Sequence, residues 1–429
     1  MKIEIQKSRL FREAATLVSG NVLAQVITLA AYFVLTRIYT PDDYGLFNIF
    51  YSYIEVLIIF STCKYELAVV VADDEREAAA VSRFALRMNL LVSVALVSVA
   101  LVLWLTGLLP GNLAELGWMV LLIPPMVFFC GTSRVYSFLY NRFHRYGMIA
   151  VSDTVNAGSG ALTKVVLGLL GLSQSGMPLG AVLGQAAANI NYRLRLRKLN
   201  LPPIGTKFSI FNFQFSIEKA AAQKHRNFPF FVATKDLVNT FSSNLPFLWA
   251  ALYFERAEVG LFGLALTFTM QPVNILSVAF ERVLYARTVE TVRKRVPLMH
   301  LLRRFLLPLL AVAVPVGVLA AFVAEPVFVF CFGDRWQGCG VFVQLLLPPA
   351  LVTLFSNSLM FISNVFSTQR TEFGFYLVLL ALRVAAIAVG VGTHNFLLAI
   401  GLYAAAGTLV KASLLVWYLW QVQRYERTL

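Results

Sequence analysis

Residues 227–263 read NFPFFVATKDLVNTFSSNLPFLWAALYFERAEVGLFG, and their pattern fixes the architecture. About 20 mostly apolar residues follow Asn227-Phe228-Pro229, the chain turns on Glu255-Arg256-Ala257-Glu258, and an apolar run restarts at Gly260-Leu261-Phe262. The first half contains the same device. An apolar run ends at Tyr39, the chain turns on Thr40-Pro41-Asp42-Asp43, and it restarts at Gly45-Leu46-Phe47. The two restarts lie 215 residues apart in a chain of 429, so one structural unit is written twice.

Outward from that stretch, apolar runs of about 20 residues recur along the whole chain, each long enough to cross a ~30 Å hydrocarbon core as a helix. Hydrophobic residues make up 59% and charged residues 14%, against roughly 25% charged in soluble domains. The mean hydropathy is +0.72. The alternation of an outer-membrane barrel is absent. The fold class is therefore an all-α polytopic membrane protein. Spans are expected at about 14–36, 45–66, 84–107, 116–140, 148–172, 177–194, 230–253, 260–282, 303–324, 340–364, 372–392 and 396–420. These twelve divide into a bundle of six over 1–194, a basic connector over 195–228 and a second bundle of six over 229–429.

The net charge of +14 has a topological reading, because basic residues retained on the cytoplasmic side give such an excess. With a cytoplasmic amino terminus, 27 of the 36 Lys and Arg fall on the cytoplasmic segments, and only Arg37, Arg256 and Arg335 on the other face. Both termini are then cytoplasmic. No nucleic-acid module appears, and the basic, polar first 13 residues are unlike a cleavable signal peptide. Six spans separate the two restarts, an even number, so the repeats run parallel. Leu121-Leu122-Ile123-Pro124-Pro125 and Leu345-Leu346-Leu347-Pro348-Pro349 supply a second echo, with Pro-Pro expected to kink both helices in mid-span.

These residues resemble the oligosaccharide flippases of the Wzx type, in the multidrug/oligosaccharidyl-lipid/polysaccharide exporter superfamily. The likeness rests on Arg37 to Phe47, on Lys64-Tyr65-Glu66-Leu67-Ala68 with Asp73-Asp74-Glu75, and on Asn227-Phe228-Pro229. Leu237-Val238-Asn239, Ser243-Asn244-Leu245-Pro246, Gln271-Pro272 and Phe332-Gly333 with Arg335-Trp336 extend it over nearly the whole chain. The family usually has Arg where this chain has Lys64. The resemblance implies a V-shaped pair of six-helix bundles around a central cavity in a bacterial inner membrane. It implies alternating access that moves an undecaprenyl-diphosphate-linked glycan, such as an O-antigen or polysaccharide repeat unit, to the periplasmic leaflet. Membrane lipids, a glycan polymerase and a chain-length regulator are the partners it implies.

Ionisable groups inside spans are costly, so each is a candidate site. The basic ones are Lys64, Arg134, Lys164, Lys235, Arg383 and Lys411, which suit a diphosphate. Arg134, Lys64 and Lys235 lie near span ends, where snorkelling to the interface is an equal reading. Asp153 and Lys164 are 11 residues apart, ~16 Å along a helix, and cannot pair directly. Glu55, Asp236 and Asp153 are the acidic candidates for ion coupling. Glu55 is mid-span without a neighbouring base, and reads either as a proton or sodium site or as a hydrogen bond to the next helix.

An enzyme is not expected. No Gly-x-x-x-x-Gly-Lys-Ser/Thr loop is present, the four histidines fall in or beside connections, and no large external loop is available for a membrane-embedded transferase. No cofactor or metal is expected; a proton or sodium gradient would supply the energy. The competing reading is a multidrug or metabolite exporter of the same superfamily, which the basic excess within spans disfavours. Cys331 and Cys339 bracket an external turn and leave room for a disulfide, although Cys339 reads as the first turn of span ten.

Overall fold

The computed structural model describes residues 22–196, 215–226, 229, 232–293, 296–427 and 429. The described residues are helical and contain no strand. The chain forms two compact units, Met1–Thr240 and Phe241–Leu429. Of the connector expected over 195–228, residues 197–214 and 227–228 lie outside the described residues, as do the amino-terminal bases Lys2, Lys7, Arg9 and Arg12.

In the first unit the helices are α1 (Val22–Ile38), α2 (Pro41–Thr62), α3 (Tyr65–Val71), α4 (Glu75–Thr106) and α5 (Leu113–Leu116). They continue as α6 (Ile123–Arg142), α7 (Tyr146–Leu169), α8 (Ser173–Leu196) and α9 (Phe215–Lys224). Helix α10 (Ala233–Leu248) straddles the unit boundary. The second unit adds α11 (Arg256–Arg293), α12 (Met299–Phe332), α13 (Cys339–Ser358), α14 (Phe361–Val365), α15 (Gln369–Gly392) and α16 (Phe396–Glu426). The twelve expected spans fall on α1, α2, α4, α5–α6, α7, α8, α10, α11, α12, α13, α15 and α16. Eight of these are long and apolar enough to cross a membrane by length and composition; α1 is shorter, and α7, α8 and α10 are not among the eight. Those last three carry Asp153, Lys164, Gln185, Asn189, Lys235 and Asp236. Polar spans belong inside a bundle, because lipid offers such groups no partner.

The turn that restarts the chain at Gly45 is a capped helix start. The Thr40 hydroxyl accepts from the Asp43 amide, Asp43 accepts from the Thr40 amide at 2.9 Å, and Pro41 occupies the first helical position. Helix α2 ends on Cys63 and Lys64, both with left-handed φ (48° and 62°), and α3 begins at once. Arg142 caps α3 by donating to the carbonyls of Val69, Val70 and Ala72 at 3.0, 3.1 and 2.8 Å.

Helix α9 docks at this same end of the first unit. Ala221 and Ala222 join the apolar cluster formed by Tyr65, Val69 and Ala78. Glu218 is fully buried and accepts from Arg83 Nε at 2.9 Å and from Arg87. Lys224 pairs with Asp73 at 2.6 Å and Glu77 at 2.7 Å, and His225 meets Glu77 at 3.1 Å. Hydrogen bonds to Asp73 and then Glu77 raise the exposed Lys224 ammonium above the ordinary lysine value.

One expectation needs correction. Pro124-Pro125 do not kink a helix in mid-span: they open α6, behind a 3-10 turn at Gly117–Leu122, where their missing amides cost nothing. Only Pro348-Pro349 lie inside a helix, α13. Cys331 and Cys339 are both free thiols; Cys339 opens α13, its Sγ 3.5 Å from the Leu261 carbonyl.

Candidate functional site

The nine charged candidates fall into three groups. Glu55, Arg134 and Asp153 come together in the first unit, around an open cleft of about 270 Å³ between α2, α6, α7 and α8. Tyr51 and Glu55 are exposed at its mouth, while Gln185 and Tyr192 are buried and form its back. Arg134 and Asp153 are half-buried, and neither makes a hydrogen bond or ion pair with a described residue. Two opposite charges therefore share one cavity without touching each other. Half-buried in an open cleft, both groups stay within reach of water. A polyhydroxy or charged ligand would replace that water.

The second group comprises mid-span cations resting on rings. Lys164 on α7 places its Nζ 4.6 Å from the centroid of Phe47, the aromatic of the first Gly-Leu-Phe restart. Its stem lies against Gly180 of α8, where any Cβ would collide with Lys164 Cγ. The Lys164 carbonyl accepts from the Tyr39 hydroxyl at 2.7 Å, which pins the α7 backbone at that level. In the second unit Arg383 on α15 stacks 4.1 Å from the Tyr403 ring of α16. It donates to the Ser242 hydroxyl at 3.3 Å, its Nη2 lies 3.3 Å from the Cβ position of Gly407, and its buried Nε has no hydrogen-bond partner. Tyr403 is held in turn by donating to the Ser243 carbonyl at 3.1 Å. Lys411 donates to Asn357 at 3.3 Å and lies 5.0 Å from the Tyr376 ring. Neither Lys164 nor Arg383 has a carboxylate partner among the described residues.

Third, Lys64 and Asp236 pair with each other at 2.7 Å, the lysine side chain 13% exposed and the aspartate 40%. That pairing occupies both groups. Lys235, beside Asp236 in the first turn of α10, is half-buried.

Sequence reasoning missed the neutral polar lining. Gln185 Nε2 and Asn189 Nδ2 both donate to Ser133 Oγ, at 2.8 and 3.0 Å. A signal was available: Gln185 and Asn189 are four apart on one face of a span, and amides in mid-membrane mark an interior surface. Ser242 had none.

The arrangement of helices is that of a known class. The chain superposes on the lipid II flippase MurJ, in an inward closed conformation, with a TM-score of 0.72 over 96% of this chain and 89% of that one, at 11% identity. An inward-facing multidrug resistance MATE family transporter of the MOP superfamily gives 0.67 at 13% identity, covering 94% and 96%. A MOP superfamily transporter from Pyrococcus furiosus gives 0.61 at 12% identity, covering 97% and 96%. The chain therefore shares the fold of these transporters, a multi-pass membrane architecture. The family itself is shown by sequence: a family model described as polysaccharide biosynthesis protein matches residues 34–341, well over half of the chain, which belongs to that family. No curated protein matches the sequence.

Proposed function

We propose that this chain is a flippase that carries a lipid-diphosphate-linked oligosaccharide from the cytoplasmic to the periplasmic leaflet of a bacterial inner membrane. Both termini are cytoplasmic in this reading, and a proton or sodium gradient drives alternating access. The observation that carries it is the placement of Lys164 and Arg383. They occupy the fifth and eleventh spans, equivalent positions of the two repeats, and each rests on a ring without a carboxylate partner among the described residues. An unneutralised cation in a span is worth keeping only if an anion visits it. Lys411 belongs with them. Arg134, Lys235 and Lys64 are weaker candidates, Lys64 because Asp236 already holds it. Coupling falls to Glu55, with Asp153 in the same cavity and Asp236 behind them.

The two carboxyl groups in the first-unit cavity favour one competing function, export of a cationic drug or metabolite. Transport in liposomes separates the two. Lys164→Gln, Arg383→Gln and Lys411→Gln are each expected to stop movement of a polyprenyl-diphosphate oligosaccharide while the protein stays in the membrane. Normal movement in all three would remove the anionic-cargo reading. Glu55→Gln is expected to abolish stimulation by an imposed pH gradient.

A further inference from the structure

We propose that the first-unit cavity is a binding site for one neutral, hydroxyl-bearing sugar ring; this rests on the reading of the chain as a glycan carrier. Size sets the first limit. A cavity of about 150 Å³ admits a benzene ring, and drug-sized ligands occupy roughly 300 Å³ or more. At about 270 Å³ the cleft holds a single substituted six-membered ring, and the rest of an oligosaccharide repeat would extend out of its open mouth.

Chemistry sets the second limit. Asp153 can only accept hydrogen bonds when ionised and Arg134 can only donate, and neither has a bonding partner among the described residues. A ring with hydroxyls on adjacent carbons does both at once, donating to the carboxylate and accepting from the guanidinium. Gln185 is anchored by its amide nitrogen on Ser133, and its amide oxygen bonds to no described residue, so a further acceptor remains. Ile54 and Ile58, both buried, give the apolar wall that a pyranose CH face needs, and Tyr51 at the mouth offers a ring to stack on. Asp153, with no bonding partner among the described residues, disfavours the carboxylate of a uronate or a phosphate beside it. The diphosphate of the same cargo then belongs elsewhere, with the mid-span cations.

Cys130 lines this cavity and Cys63 does not, so the native protein carries its own reporter. Alkylation of the full-length protein by N-ethylmaleimide is followed at each cysteine by peptide mass spectrometry, with methyl glycosides of glucose, galactose and N-acetylglucosamine as probes. At about three times the half-saturating concentration, at least one probe is expected to slow labelling of Cys130 roughly fourfold and leave Cys63 unchanged. Methyl glucuronide and inorganic pyrophosphate should give no protection. Asp153→Asn should abolish the protection without changing the unprotected rate. Absence of protection by all three glycosides, equal protection by pyrophosphate, or full protection in Asp153→Asn would overturn the site. If Cys130 resists the reagent, saturation transfer from protein to glycoside decides, expected in the wild type and absent in Asp153→Asn. Protection without flipping of the lipid-linked cargo would remove the flippase reading and keep the sugar site; flipping without protection would do the reverse.

Discussion

Phe47 and Phe262 end the same Gly-Leu-Phe motif and have different surroundings. Phe262 is fully buried, ringed by Phe247, Phe342 and Phe396 at centroid distances of 5.4, 6.0 and 6.2 Å. Phe47 packs on Phe50 and Tyr51 and carries the Lys164 ammonium on its face. In the second unit the cation–ring contact sits elsewhere, with the mid-span Arg383 resting on Tyr403 of the last helix. In each unit a glycine of the neighbouring helix lies beside the cation, Gly180 next to Lys164 and Gly407 next to Arg383. The ring differs, Phe47 of the restart motif in one unit and Tyr403 of the last helix in the other.

The sharpest way to break this comparison is to truncate both rings. Phe262→Ala leaves a void in a closed aromatic cluster and is expected to cost about 4 kcal/mol of stability, read as a lowered unfolding midpoint in detergent. Phe47→Ala should cost clearly less, and equal losses would end the distinction. Next in size is Glu218→Ala, which strands the buried Arg83 and should cost about 3 kcal/mol in the same assay. Phe47→Leu keeps apolar bulk and removes the Lys164 cation–ring contact. It should lose about 1 kcal/mol, seen as weaker retention of lipid-diphosphate oligosaccharide with the unfolding midpoint nearly unmoved. The smallest effect belongs to Asp236→Asn, since the pair with Lys64 is partly solvent-screened, with a loss of about 0.5 kcal/mol expected. A loss several times larger would place that pair among the buried ones.

The helices were legible because their signals are local. Run length gave the spans and Gly-Leu-Phe the repeat, whereas Thr40-Pro41-Asp42-Asp43, read as a turn ahead of Gly45, holds the cap and first turn of α2. The Pro-Pro reading failed in the first repeat because a proline pair fits a helix start as well as an interior, and only the preceding 3-10 turn decides between them. For the site, burial cost alone nominated Glu55, Arg134 and Asp153, and the structure gathers all three. That Lys64 is taken by Asp236, or that Arg383 lies beside Ser242, depends on residues more than a hundred positions apart. No window along the chain holds such information. The pairing of Arg83 and Arg87 was hidden for the same reason, since counted as topological charges they look solvated.

That pairing also has a consequence for biogenesis. Arg83 and Arg87 are synthesised 135 and 131 residues before the carboxylate that neutralises them. At roughly 5–20 residues per second, the guanidiniums wait on the order of ten seconds for Glu218 to leave the ribosome. Until then the α4 end of the first unit carries two cations that must stay in water. Once Glu218 arrives, that end can close while nearly all of Phe241–Leu429 is still unmade. Translation thus imposes an order, with this end of the first unit closed by α9 while most of the second unit is still to be made.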